Sequence, residues 1–160
     1  MSIDARKPGE TFLEYRDRVV NKISPSFCGA KWYNATIWLG NGATTSCHHP
    51  PSHQIPLTDL ETSYKAIHNT TYKKAVRKQM LEGIRPKECD YCWKMENLGK
   101  DVISDRTHKS VIYTDQELLD AKDKLGATED VDLKTLEISF DAICNFACSY
   151  CNASFSTKWQ

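Results

Sequence analysis

The sequence predicts an α+β fold, and three observations carry that expectation. A β-branched and aromatic run followed by a glycine turn reads as a hairpin. Several stretches with capping and glycine-stop signals read as short helices. A last run of alternating character, Thr135 to Phe140, reads as a strand.

In chain order, Glu10 to Ile23 has an amphipathic pattern, with Phe12, Val19, Val20 and Ile23 on one face, and Ser24-Pro25 ends it. Lys31 to Leu39 holds Trp32, Tyr33, Thr36, Ile37 and Trp38 and favours a strand. Gly40-Asn41-Gly42 is a tight turn, Ala43 to Cys47 returns antiparallel, and His48 to Pro56 is a loop. Thr58 with Glu61 has the form of a capping box that opens a helix to about His68. Tyr72 to Leu81 reads as a helix with Tyr72, Val76 and Met80 inward and Lys73, Lys74, Arg77 and Lys78 on a solvated face, stopped by Gly83. Cys89 to Leu98 begins as a turn and becomes a helix. Thr114 with Glu117 caps another that stops at Gly126.

One ordinary core fits in 160 residues. The 21 basic and 21 acidic residues cancel, and no basic stripe gives a nucleic-acid footprint. The polar N-terminus has no apolar core for a signal peptide and no segment is long enough to span a membrane, so a cytoplasmic protein is expected.

Seven cysteines is an odd number for a disulfide framework. They divide into three plus four. Cys144, Cys148 and Cys151 are spaced C-x3-C-x2-C directly after the last strand. Three thiolates on one short loop can hold three corners of a cubane and leave its fourth iron open, where a cofactor such as S-adenosylmethionine can be bound and cleaved. Cys28, Cys47, Cys89 and Cys92 supply the four thiolates that close a tetrahedral zinc site or a fully ligated [4Fe–4S] cluster. A hairpin with a glycine turn lets Cys28 and Cys47 meet, and C-x2-C adds two ligands from one turn.

Cys-Asn-x-x-Cys-x-aromatic-Cys after a strand resembles the loop of the radical S-adenosylmethionine superfamily, where it follows the first strand of a partial (β/α) barrel. The resemblance implies that Cys144, Cys148 and Cys151 hold a [4Fe–4S] cluster whose remaining iron chelates S-adenosylmethionine. Reduction then cleaves that cofactor to a 5′-deoxyadenosyl radical. Asn145, Phe146 and Tyr150 would shape the loop. The pattern C-x13-G-x4-C from Cys28 through Gly42 to Cys47, closed by Cys89-x2-Cys92, resembles the twitch domain, a shorter relative of the SPASM domain, which binds an auxiliary iron–sulfur cluster. Phe27-Cys28, "YKKAVRKQMLEG", Glu96, Gly99, Ser104-x-Arg106, Ser156 and Trp159 are similar to the same group. Lys31-Trp32 stands where Pro-Trp is usual, His48 where a second cysteine often stands, and the auxiliary unit precedes the barrel instead of following it.

The implied organisation is an N-terminal arm (1–25), a twitch-like auxiliary domain (26–126) and the start of a barrel (133–160). A barrel needs many more strand–helix units, so the chain reads as the front of a longer protein, inactive alone. The implied activity is that of a radical enzyme acting on a peptide, carbohydrate or small molecule, with flavodoxin or ferredoxin as electron donor and no membrane or nucleic-acid partner. The competing class is a zinc-stabilised binding module without chemistry. A zinc ribbon joining Cys89/Cys92 to Cys148/Cys151 would need a gap far longer than the usual ~15–20 residues. A lone C-x2-C redox pair leaves Cys28 and Cys47 unexplained. His48, His49 and His53 are further possible ligands, more often solvated loop residues. Trp32, Trp38 and Trp93 fit packing that keeps water from a cluster.

Overall fold

The computed structural model describes residues 4–140, 143–144, 146–153 and 156–159. Asn145 therefore lies outside the described residues. The fold is α+β: several short helices pack around a small mixed sheet.

Thr11 opens the first helical run with a capping box. Its hydroxyl accepts from the Glu14 N–H (3.2 Å), and the Glu14 carboxylate accepts from the Thr11 N–H (2.8 Å). The run comprises α1 (Phe12–Tyr15), a wider turn over Arg16–Val20 and α2 (Asn21–Ile23), and it breaks at the extended Ser24. Val19, Val20 and Ile23 enter the core, as the amphipathic pattern predicts, while Phe12 is only partly buried against it and Tyr15 joins it.

The strand expected from Lys31 begins later. Ala30–Tyr33 forms one helical turn, α3, and β1 spans Asn34–Trp38. The physical reason is burial. Trp32 and Tyr33 are both in the core, whereas adjacent residues of a strand point to opposite faces. The Trp32 indole N–H reaches the Gly126 carbonyl at 2.8 Å. β2 (Ala43–Thr45) pairs antiparallel with β1 across the predicted turn, where Gly42 has φ of 66°. The His-rich loop contains a two-residue strand, β3 (His53–Gln54), paired with β2.

The capping box predicted at Thr58 is absent. Pro56 with its fixed backbone leads into α4 (Leu57–Thr62) without a side-chain cap, Thr58 lies inside the first turn, and Ser63 breaks the helix before a tight turn at Tyr64–Ile67. α5 (Thr71–Leu81) is capped by Thr70, whose hydroxyl accepts from the Lys73 N–H at 3.1 Å. Here the solvated-face expectation is reversed at two positions. Lys73 and Arg77 are 2% and 0% exposed, while Tyr72 is largely exposed. Arg77 donates to the Lys31 carbonyl (2.8 Å) and the Asn69 side-chain oxygen (2.8 Å), and its guanidinium faces the buried His68 ring. Lys73 Nζ donates to Thr44 Oγ1 (2.9 Å) and the Thr45 carbonyl (3.0 Å). These donors are buried because backbone carbonyls of α3 and β2 need partners that no apolar side chain supplies.

A tight turn at Lys87–Cys89 leads into α6 (Asp90–Asn97), and α7 (Asp105–Ser110) follows. The capping box at Thr114 and Glu117 is formed and opens α8 (Asp115–Asp120), extended by a wider turn over Ala121–Leu125 that Gly126 ends with φ of 59°. β4 (Thr135–Ser139) lies parallel to β1 in register Thr36↔Glu137, which gives the sheet order β3-β2-β1-β4. No described helix is long and apolar enough to cross a membrane.

Burial, with Arg77 and Lys31 nearby, pushes the Lys73 ammonium from an ordinary 10.5 down to about 6. Between those values the unfolded chain binds the proton and the folded chain does not, so stability rises with pH in that window. The expected slope from this group is about 1.4 kcal/mol per pH unit. Urea unfolding of wild type and Lys73→Met at pH 7 and pH 9 checks it: the wild type should gain on the variant at the higher pH. Parallel pH profiles would contradict a neutral buried amine.

Candidate metal centre

The four-cysteine centre is assembled by strand direction. Cys28 precedes α3 and so lies before the start of β1, while β2 runs back to that same end and delivers Cys47 just beyond Thr45. The Asn34 side-chain amide donates to the Ser46 carbonyl (2.8 Å) and the Thr45 hydroxyl to the Cys47 carbonyl (2.7 Å), which ties the hairpin base. Cys89 closes the tight turn before α6 and Cys92 sits one helical turn on, so both address the same face. One pocket is lined by Cys28, Cys47, Cys89 and Cys92 together with Lys31 and Trp93. The structure therefore brings together the four cysteines that the sequence grouped.

Gly29 makes the approach possible. A Cβ there would fall 2.7 Å from Leu118 Cδ2 and 2.9 Å from Tyr113 Cδ2, and the Gly29 N–H donates to the Ser110 hydroxyl at 2.9 Å. Cys28, Cys89 and Cys92 are buried, and Cys47 is half-buried. Burial pushes all three buried thiols up, Cys28 most. The Lys31 cation opposes the rise at Cys89, and donation from the Arg106 backbone and Ser104 side chain opposes it at Cys92.

Around the sulfurs stands a layer of paired charges. Lys31, buried, pairs with Glu88. Arg106 is also buried. It donates to Glu96 Oε1 (2.5 Å), to the Phe27 carbonyl (3.0 Å) beside Cys28 and to the Asn21 side chain (2.8 Å). Ser104 donates to the same Glu96 oxygen at 2.6 Å. Trp93 covers the pocket and donates to the Pro86 carbonyl at 2.8 Å, and Trp32 stacks obliquely on Phe27 at 4.7 Å. Trp38 lies at the far end of β1, away from this centre.

Among the described residues, one group of three or more His, Cys, Asp or Glu ligand atoms falls within 4.8 Å, and it is His48, His49 and Asp105. No three of the cysteine sulfurs are that close. Tetrahedral zinc, with Zn–S of about 2.3 Å, holds its sulfurs about 3.8 Å apart. The thiols thus share a pocket but stand wider than a formed zinc knot. His49 and Asp105 border this pocket, and His53 is occupied elsewhere, bonded to Thr70 Oγ1 at 2.9 Å.

Cys144, Cys148 and Cys151 are half-buried, on a loop whose Phe146 and Tyr150 are exposed. A tight turn joins Cys151 N–H to the Cys148 carbonyl at 3.0 Å, and a bond to Cys148 raises the Tyr150 phenol above its ordinary value. The chain enters this loop from the C-terminal end of β4. Because β4 is parallel to β1, that is the end of the sheet opposite Cys28 and Cys47. Five paired residues at about 3.3 Å each make the strand about 17 Å long.

Sequence reasoning missed Asp105, which lies 56 residues from His49 and carries no local motif, and the pairing of Lys31 with Glu88. Comparison with protein-family models, curated proteins and solved structures finds no match for this chain.

Exposure orders the reactivity of the free thiols. Brief alkylation of the folded, metal-free chain, read by peptide mass spectrometry, should label Cys144, Cys148 and Cys151 well before Cys28, Cys89 and Cys92. Equal labelling of the two sets would contradict the buried pocket.

Proposed function

We propose that the chain carries the cofactor loop and an auxiliary iron–sulfur centre of a radical S-adenosylmethionine enzyme. The observation that carries this reading is the pairing of two cysteine sets. One is a half-buried C-x3-C-x2-C loop after a strand, and the other a converged quartet, three of whose thiols are buried. The donor chemistry fits: thiolates are the ligands of iron–sulfur clusters, three leave one iron open and four close the shell.

When bound, a [4Fe–4S] cluster at the loop would supply the electron that cleaves S-adenosylmethionine. Cys144, Cys148 and Cys151 would hold it. Phe146 and Tyr150, both exposed, flank the thiols on the loop. Cys28, Cys47, Cys89 and Cys92 would hold the auxiliary cluster. Lys31 and Arg106 place positive charge beside thiolates that would otherwise crowd negative charge into a buried site. Trp93 and Met80 keep water from that pocket. A peptide, carbohydrate or small molecule as substrate, and flavodoxin or ferredoxin as donor, remain the classes this chemistry calls for. The opposed positions of the two sets argue against a quartet that touches a substrate held at the loop.

Anaerobic reconstitution with iron and sulfide tests the reading. The protein should absorb in the visible and, once reduced, give a paramagnetic signal that shifts on addition of S-adenosylmethionine. Cys148→Ala should lose one cluster's worth of iron and the shift, and Cys89→Ala should lose the other cluster and keep the shift. Protein that takes up only zinc, or variants that lose both clusters or neither, would overturn the proposal.

A further inference from the structure

Beside the cysteine pocket, two imidazoles and one carboxylate converge. His49 Nε2 lies 2.7 Å and His48 Nε2 3.5 Å from one and the same oxygen, Asp105 Oδ2. The two rings are 4.1 Å apart, and all three ligand atoms fit within 4.8 Å. An ion with bonds of about 2.0–2.2 Å to nitrogen and oxygen sets its ligands about 3.3 Å apart in a tetrahedron; the 3.5 Å pair stands near that spacing, and the hydrogen-bonded 2.7 Å pair would have to open slightly to admit the ion.

The three groups come from two separate segments. His48 and His49 follow Cys47 on the hairpin's exit, and Asp105 opens α7 after Ser104. His49 is fixed by stacking on Tyr91, with ring centres 3.9 Å apart and planes 16° from parallel. A single His49–Asp105 hydrogen bond would account for one ring. It leaves His48, whose side chain is 59% exposed, with Nε2 3.5 Å from the same oxygen and its ring against that of His49.

We infer that His48, His49 and Asp105 form a mononuclear site for a divalent transition-metal ion at the rim of the cysteine pocket, with the remaining coordination open to water. Two imidazoles and one carboxylate suit zinc and its first-row neighbours, whereas thiolates select iron–sulfur clusters and soft ions. The site is therefore chemically distinct from the four sulfurs next to it. It does not depend on what fills the cysteine pocket, since none of its ligands is a cysteine.

Zinc is the probe. Protein reconstituted with iron and sulfide is equilibrated with zinc, desalted and assayed for metal beside His48→Ala and Asp105→Asn. The exposed His48 makes its variant safe for folding, and a thermal melt of the zinc-free forms checks this. Wild type should hold one zinc per chain more than either variant. The X-ray absorption difference between wild type and His48→Ala should show nitrogen and oxygen neighbours with imidazole scattering and no sulfur shell. Equal zinc in all three proteins, or a difference carried by sulfur, would overturn the assignment.

Discussion

Strand β1 accepts an antiparallel neighbour on one side and a parallel neighbour on the other, and that asymmetry governs where Cys47 and the C-x3-C-x2-C loop go. The antiparallel partner returns Cys47 to the end where Cys28 sits. The parallel partner carries the chain away from that end and into the C-x3-C-x2-C loop. A five-residue strand thus separates a largely buried quartet from a half-buried trio. Thr36 and Glu137, opposite one another in register, add a 2.8 Å side-chain bond across the parallel pair.

The interior supporting this arrangement is unusually polar. Arg77, Lys73, Lys31 and Arg106 are all buried, and each donates to, or sits beside, backbone of the segments that carry the cysteines. Two of them meet carboxylates, Glu88 and Glu96, while Lys73 and Arg77 are held by carbonyls, hydroxyls and an amide. Such networks are costly to leave half-satisfied, which fixes α5, α6 and α7 against the hairpin more narrowly than apolar packing alone would.

How much of this was legible in the sequence depended on range. Local signals served well: the Thr114–Glu117 box, the Gly42 turn and the strand at Thr135 all follow from neighbours a few residues apart, whereas the grouping of Cys28 and Cys47 with Cys89 and Cys92 rested on the cysteine count and the family resemblance. What failed was tertiary. Lys73 and Arg77 look like a solvated stripe because α5 has no apolar residue at those positions. Their burial is set by carbonyls of Lys31 and Thr45, more than 25 residues away. The same holds for Trp32, drawn into a helical turn by the core, and for Asp105, which meets His49 only through the fold.

Strand β4 closes one side of the sheet, and its outer row of peptide groups has no described strand beside it. Leu136 and Ile138 stand half-open on that strand, near Leu57 and Leu60 at the wall of a shallow greasy trough. An unpaired ladder flanked by oily side chains is a template for further strands. Purified on its own, this polypeptide would tend to stick to its own kind along that border, so detergent or dilution becomes a practical matter before any cofactor is added.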